Sequence, residues 1–77
     1  VYLWMITLEP HARSQPVYWV REWWAGDSQP AQFVRTVAKA GTLLGARERV
    51  PTLDAVRRDL PPGSPDHLVE CWHDPHT

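Results

Sequence analysis

The chain is poor in cysteine, lysine and asparagine: it has one cysteine, Cys71, one lysine, Lys39, and no asparagine. A single cysteine cannot close an intramolecular disulfide, whereas secreted domains of this size ordinarily carry several bridges. A reducing compartment, the cytoplasm, is the expectation. Long apolar runs are also missing. The longest, residues 1–8 (VYLWMITL), stops at Glu9-Pro10. It is too short to span a membrane and lacks the basic flank and small-residue cleavage site of a signal peptide. No membrane association is expected. Nor is there an excess of charge of one sign. Eight basic and nine acidic residues leave a formal net charge of −1, where a general nucleic-acid binder shows a basic stripe. Finally, no G-x-S-x-G, P-loop, G-x-G-x-x-G or H-E-x-x-H pattern occurs. A catalytic role and a cofactor are therefore not expected.

What is present is a chain of 77 residues, 43% of them hydrophobic. That length predicts a single domain over 1–77, with 73–77 as a frayed tail. Its composition is that of a folded chain. A core of this size stabilises by only ~3–5 kcal/mol, so help from a partner, a metal or self-association is expected.

Proline and glycine divide the chain into pieces. Residues 1–8 read as a strand, with Tyr2, Trp4, Ile6 and Leu8 on one face and Val1, Leu3, Met5 and Thr7 on the other. Apolar side chains on both faces suggest a central strand. Residues 17–25 (VYWVREWWA) read as a second strand, antiparallel to the first, with Trp19, Arg21 and Trp23 sharing a face. Gly26-Asp27-Ser28 then offers a stop and an N-cap. Phe33, Val37, Ala40 and Leu44 recur at helical spacing, ending at Gly41 or Gly45. Thr52, Leu53, Val56 and Leu60 suggest a short second helix, stopped by Pro61-Pro62-Gly63-Ser64-Pro65. Residues 67–73 (HLVECWH) read as a closing strand. The predicted fold is α+β in the order β-β-α-α-β, with strands over 1–9, 17–25 and 67–73 and helices over 28–41 and 52–60. It is a three-stranded sheet with helices on one face.

Five tryptophans fall on predicted strands: Trp4, Trp19, Trp23, Trp24 and Trp72. Adjacent Trp23 and Trp24 must point to opposite faces. A small core can use indoles as filler, but a sheet covered on one face leaves an aromatic patch on the other, and such patches mark interaction sites. The expected function is a non-enzymatic binding module acting through Trp4, Trp19, Trp23 and Trp24, with Arg21 as a polar companion. Its partner is a protein or a second copy in a homodimer. The alternative is a small nucleic-acid-associated regulatory protein of a mobile element. It would set Arg47, Arg49, Arg57 and Arg58 against phosphates.

The C-terminal His67, Cys71, His73 and His76 have the chemistry of zinc ligands but not the spacing. No C-x-x-C or H-x-x-x-H pair exists, and at strand rise His67 lies more than about 10 Å from Cys71. The expectation is no metal, with Cys71 packed and the histidines in water. Cys71 and His73 as nucleophile and base would stand parallel, about 7 Å apart, not aimed at each other.

The opening Trp4-Met5-Ile6-Thr7-Leu8, followed by a loop of proline, histidine, arginine and serine, resembles that of small proteins from high-GC filamentous bacteria, often carried on mobile elements. The resemblance implies two strands, a helix and a short aromatic closing strand, an order that 52–59 and 67–72 can fit. It implies no activity and no ligand.

Overall fold

The computed structural model describes residues 1–9, 15–26, 30–60 and 67–76. Along the chain run β1 (Tyr2–Leu8), β2 (Tyr18–Trp24), β3 (Gln32–Ala40), α1 (Leu43–Glu48), β4 (Val56–Arg58) and β5 (Leu68–His73). The five strands form one sheet in the order β3-β2-β1-β5-β4, and every neighbouring pair is antiparallel.

β1 is the middle strand because both its faces can be buried. On one face Trp4 and Ile6 pack with Val20 and with Ala46 of α1, joined by Tyr18, Val37, Leu43 and Trp72. On the other, Leu3 and Met5 pack with Cys71, joined by Trp23, Ala31 and Leu68. Leu3, Met5, Ile6 and Val20 are almost wholly withdrawn from solvent. Each such side chain stabilises the fold by roughly 1.5–3 kcal/mol before the entropy of ordering it is counted. The β1–β2 register sets Leu3 opposite Trp23 and Leu8 opposite Tyr18. Its ends are closed by the Ala25 N–H on the Val1 carbonyl (2.9 Å) and the Glu9 N–H on the Val17 carbonyl (2.8 Å).

The structure corrects the expected α+β arrangement. The sheet has five strands, not three, and α1 is the one helix among the described residues. The segment expected as a helix over 28–41 forms β3, with 28 and 29 outside the described residues. Its helical look has a physical cause. Val20 pairs with Ala38 but Arg21 with Thr36, leaving Val37 extra. Likewise Glu22 pairs with Arg35 but Trp23 with Phe33, leaving Val34 extra. Each bulge shifts the side-chain alternation by one residue. Phe33, Thr36 and Lys39 thus share a face at intervals of three, close to the helical period. The four residues taken as a helix stripe do not share a face. Val37 and Ala40 join the core on the α1 side, Phe33 lies opposite Trp23 on the other side, and Leu44 is exposed.

The second expected helix, 52–60, is also absent. There the Thr52 hydroxyl accepts the Asp54 N–H (3.3 Å), and β4 follows as a three-residue edge strand. A helix of two turns depends on burying an apolar face, and Leu53, Val56 and Leu60, which would have made that face, are all exposed. The proline-rich stop at 61–65 and the N-cap candidates Asp27 and Ser28 lie outside the described residues. Gly41 and Gly45 do not stop a helix but sit before and inside one. α1 begins at Thr42, whose extended backbone frees its Oγ1 to accept the Gly45 N–H at 2.9 Å.

Candidate interaction surface

The alternation of β1 and β2 gives the sheet a helix face, on which α1 packs against β2 and β3, and a far face. On the far face β2 presents Trp19, Arg21 and Trp23, and β3 sets Lys39, Thr36 and Phe33 opposite them. The Arg21 guanidinium carbon lies 5.2 Å from the Trp19 ring centroid, and the Lys39 ammonium lies 5.6 Å from it. Both are within cation–π reach. Arg21 Nη1 also donates to Thr7 Oγ1 at 3.0 Å, which steadies the guanidinium. The Trp19 indole N–H donates to Glu9 Oε2 at 3.0 Å. Next along the strands, Trp23 and Phe33 meet edge to face with centroids 5.7 Å apart. Trp19 and Trp23 are half-buried and Phe33 is 52% exposed. The result is a row of aromatic rings with two cations held against one of them.

The sequence-predicted aromatic set is split between the two faces. Trp19, Arg21 and Trp23 come together on the far face. Trp24 lies on the helix face, edge to face with Tyr2 at 4.8 Å, and is 45% exposed. Trp4, only 6% exposed, fills the core. Sequence reasoning missed Phe33, Thr36 and Lys39 as companions of Trp19 and Trp23. The available signal was local: Phe33, Val34, Thr36 and Val37 are aromatic or β-branched residues that favour strand.

The four arginines of the alternative reading do not form one edge. Arg47 grips Glu70 with two bonds, Nε to Oε1 at 2.8 Å and Nη2 to Oε2 at 2.6 Å. Arg57 Nη1 stands 3.3 Å from the same Glu70 Oε2. Arg49 turns back onto the Gly45 carbonyl at 3.0 Å. Arg58 pairs in register with Cys71, on the opposite face of the sheet from Arg57. Glu70, 2% exposed, is held below its ordinary pKa. The Arg47 hydrogen bond is the main cause, opposed by burial and aided by the charges of Arg47 and Arg57. The same bond raises the Arg47 guanidinium.

Of the C-terminal candidates, Cys71 is fully buried and burial pushes its thiol up. His73 lies opposite Leu3 and Val56. His67 precedes β5 with φ 66°, its carbonyl accepting the Leu8 N–H at 3.0 Å. His76 Nε2 is 3.7 Å from Asp54 Oδ2. Among the described residues no three His, Cys, Asp or Glu side chains come together as a metal site. A depression of roughly 250 Å³ lies beside Lys39, lined by Gln15, Pro16, Val17, Ala40 and Gly41; it falls short of the usual ligand pocket. No helix among the described residues is long and apolar enough to cross a membrane. Comparison of the chain with protein-family models, with curated proteins and with solved structures finds no match.

Proposed function

We propose that this chain is a non-catalytic interaction module that binds a protein partner through the far face of β2 and β3. One observation carries the reading: Trp19 is held against Arg21 and Lys39 beside the Trp23–Phe33 pair, on the side of the sheet opposite α1. Tryptophan and arginine dominate the energetics of protein interfaces. Rings fixed by a sheet lose little freedom on binding. Two cations with Glu9 as the nearby acid favour a partner segment that brings carboxylates together with apolar side chains. The arrangement supports a phosphate-binding role less well. Arg47 and Arg57 are committed to Glu70, and a base stacking on Trp19 would have to compete with the cations already there. With its lone thiol, the cytoplasm remains the proposed compartment.

The test is selection of peptides from a random display library at physiological salt, followed by titration against the whole chain. Trp19→Ala and Trp23→Ala are expected to weaken the selected peptides by about tenfold or more while circular dichroism stays that of the parent. Arg57→Ala should leave them unchanged. Peptides that ignore both tryptophan substitutions would overturn the reading. So would tight, steeply salt-dependent binding of oligonucleotides in their place.

A further inference from the structure

β3 ends the sheet, and its outer edge has no strand beside it among the described residues. It is nine residues long, with Gln32, Phe33, Val34, Arg35 and Thr36 all exposed. Its two bulges would normally protect such an edge. An ordinary strand alternates faces at every residue and cannot follow a strand that does not. The pattern of faces on β3 has one special property, however. The β2 register places Gln32, Arg35, Ala38 and Ala40 on the helix face and Phe33, Thr36 and Lys39 on the far face. Val37 packs into the helix-side core. Counted outward from Thr36, the placed positions match in pairs: Arg35 with Val37 and Gln32 with Ala40 on the helix face, and Phe33 with Lys39 on the far face. The strand that matches a bulged β3 is therefore β3 itself, reversed.

We infer that β3 pairs antiparallel with β3 of a second copy, about a two-fold axis at Thr36, joining the two sheets into one. This goes beyond the aromatic-face reading and does not depend on it. In this register Phe33 faces Lys39 of the other copy on the far face, which adds an aromatic contact to an ammonium already lying against Trp19. Arg35 faces Val37 on the helix face, and it already has Glu22 at 3.4 Å. No two cations oppose. Neighbouring registers fail. A slip of one residue sets far-face side chains against helix-face ones, Phe33 against Ala38 or Ala40. A slip of two in one direction sets Arg35 against its own copy, and like charges directly opposed are destabilising. In the other direction it sets far-face Thr36 against helix-face Ala38, the same mismatch of faces. β4, the other edge, has only three residues and two arginines, features that discourage pairing.

Sedimentation of the whole chain over a range of concentrations tests this, and a reversible monomer–dimer equilibrium is expected. Thr36→Lys and Thr36→Glu should each weaken the dimer by about tenfold, because like charges then meet at the axis. An equimolar mixture of the two should restore it. Should either variant lose the parent circular dichroism, Thr36→Cys decides instead. Mild oxidation should link two chains through position 36, while buried Cys71 stays free. A chain that remains monomeric up to millimolar concentration overturns the inference. So does a dimer indifferent to both Thr36 charges, or a position-36 thiol that never cross-links. A dimer lost in Trp19→Ala but kept in both charge variants would assign self-association to the far face and overturn the edge.

Discussion

At the residue scale the most consequential side chain is Glu70. A carboxylate withdrawn from water is costly unless paired, and Glu70 is met by two arginines that themselves remain partly in solvent. The asymmetry sets the direction of two substitutions. Glu70→Gln frees arginines that can rehydrate, and should destabilise by about 1–3 kcal/mol. Arg47→Ala leaves the carboxylate in place with only the longer Arg57 contact, and should destabilise more. The pH dependence follows from the depressed pKa of Glu70. The unfolded glutamate takes up its proton at a higher pH than the folded one. The stabilisation is thus complete above the ordinary glutamate pKa and is lost as pH falls through the folded value. Urea unfolding at neutral and acid pH should show a smaller loss of stability on acidification in Glu70→Gln than in the parent. Equal losses would mean that Glu70 does not contribute to the acid sensitivity.

At the element scale, β1 and β2 could be read in the sequence because their periodicity is regular. β5 could be read because its alternation holds from Glu70 to His73, although Ile6 pairs with Glu70 and Thr7 with Leu68, which leaves Val69 extra and puts Leu68 on the face of Cys71. VYLWMITL is apolar on both faces, and it is the central strand; Trp19, Arg21 and Trp23 alternate as a flat strand requires. β3 could not be read this way, because bulges at Val34 and Val37 convert a period of two into intervals of three. α1 is hidden for the opposite reason: at six residues it is too short to display a period. Its one local signal is Thr42, three residues before the N–H it caps. Thr42→Ala should cost about 1 kcal/mol, measured by urea unfolding, and Thr42→Ser should recover most of it. A neutral Thr42→Ala would mean that α1 is held by Ala46 packing and the Arg47 grip alone. The aromatic surface was partly legible for the same reason as the strands. Trp19, Arg21 and Trp23 declare their shared face, but their neighbours Phe33 and Lys39 come from the strand whose pattern is disguised.

At the scale of the whole molecule, stability is arranged around β1. Its two neighbours come from different parts of the chain: β2 is the next strand in sequence, and β5 comes from the far end. Both core clusters contain β1 residues, and Cys71 of β5 closes one of them. β1 therefore cannot open without releasing both faces of the sheet. α1 and β4 sit at the periphery, each short, and among their residues only Ala46 is buried. Segments with few buried contacts open locally, while amides at the centre exchange only when the whole domain unfolds. Hydrogen exchange should accordingly rank the β1 amides slowest, at the free energy of global unfolding, with those of α1 and β4 well below it. Alkylation of the Cys71 thiol supplies an independent probe of the same event. Burial keeps it both protonated and shielded, so under native conditions its labelling should follow the opening free energy of the β1 amides. Thiol labelling that instead keeps pace with exchange in β4 would show that β5 detaches from β1 before the domain unfolds. The sheet would then be two units, β1–β3 and β4–β5, rather than one.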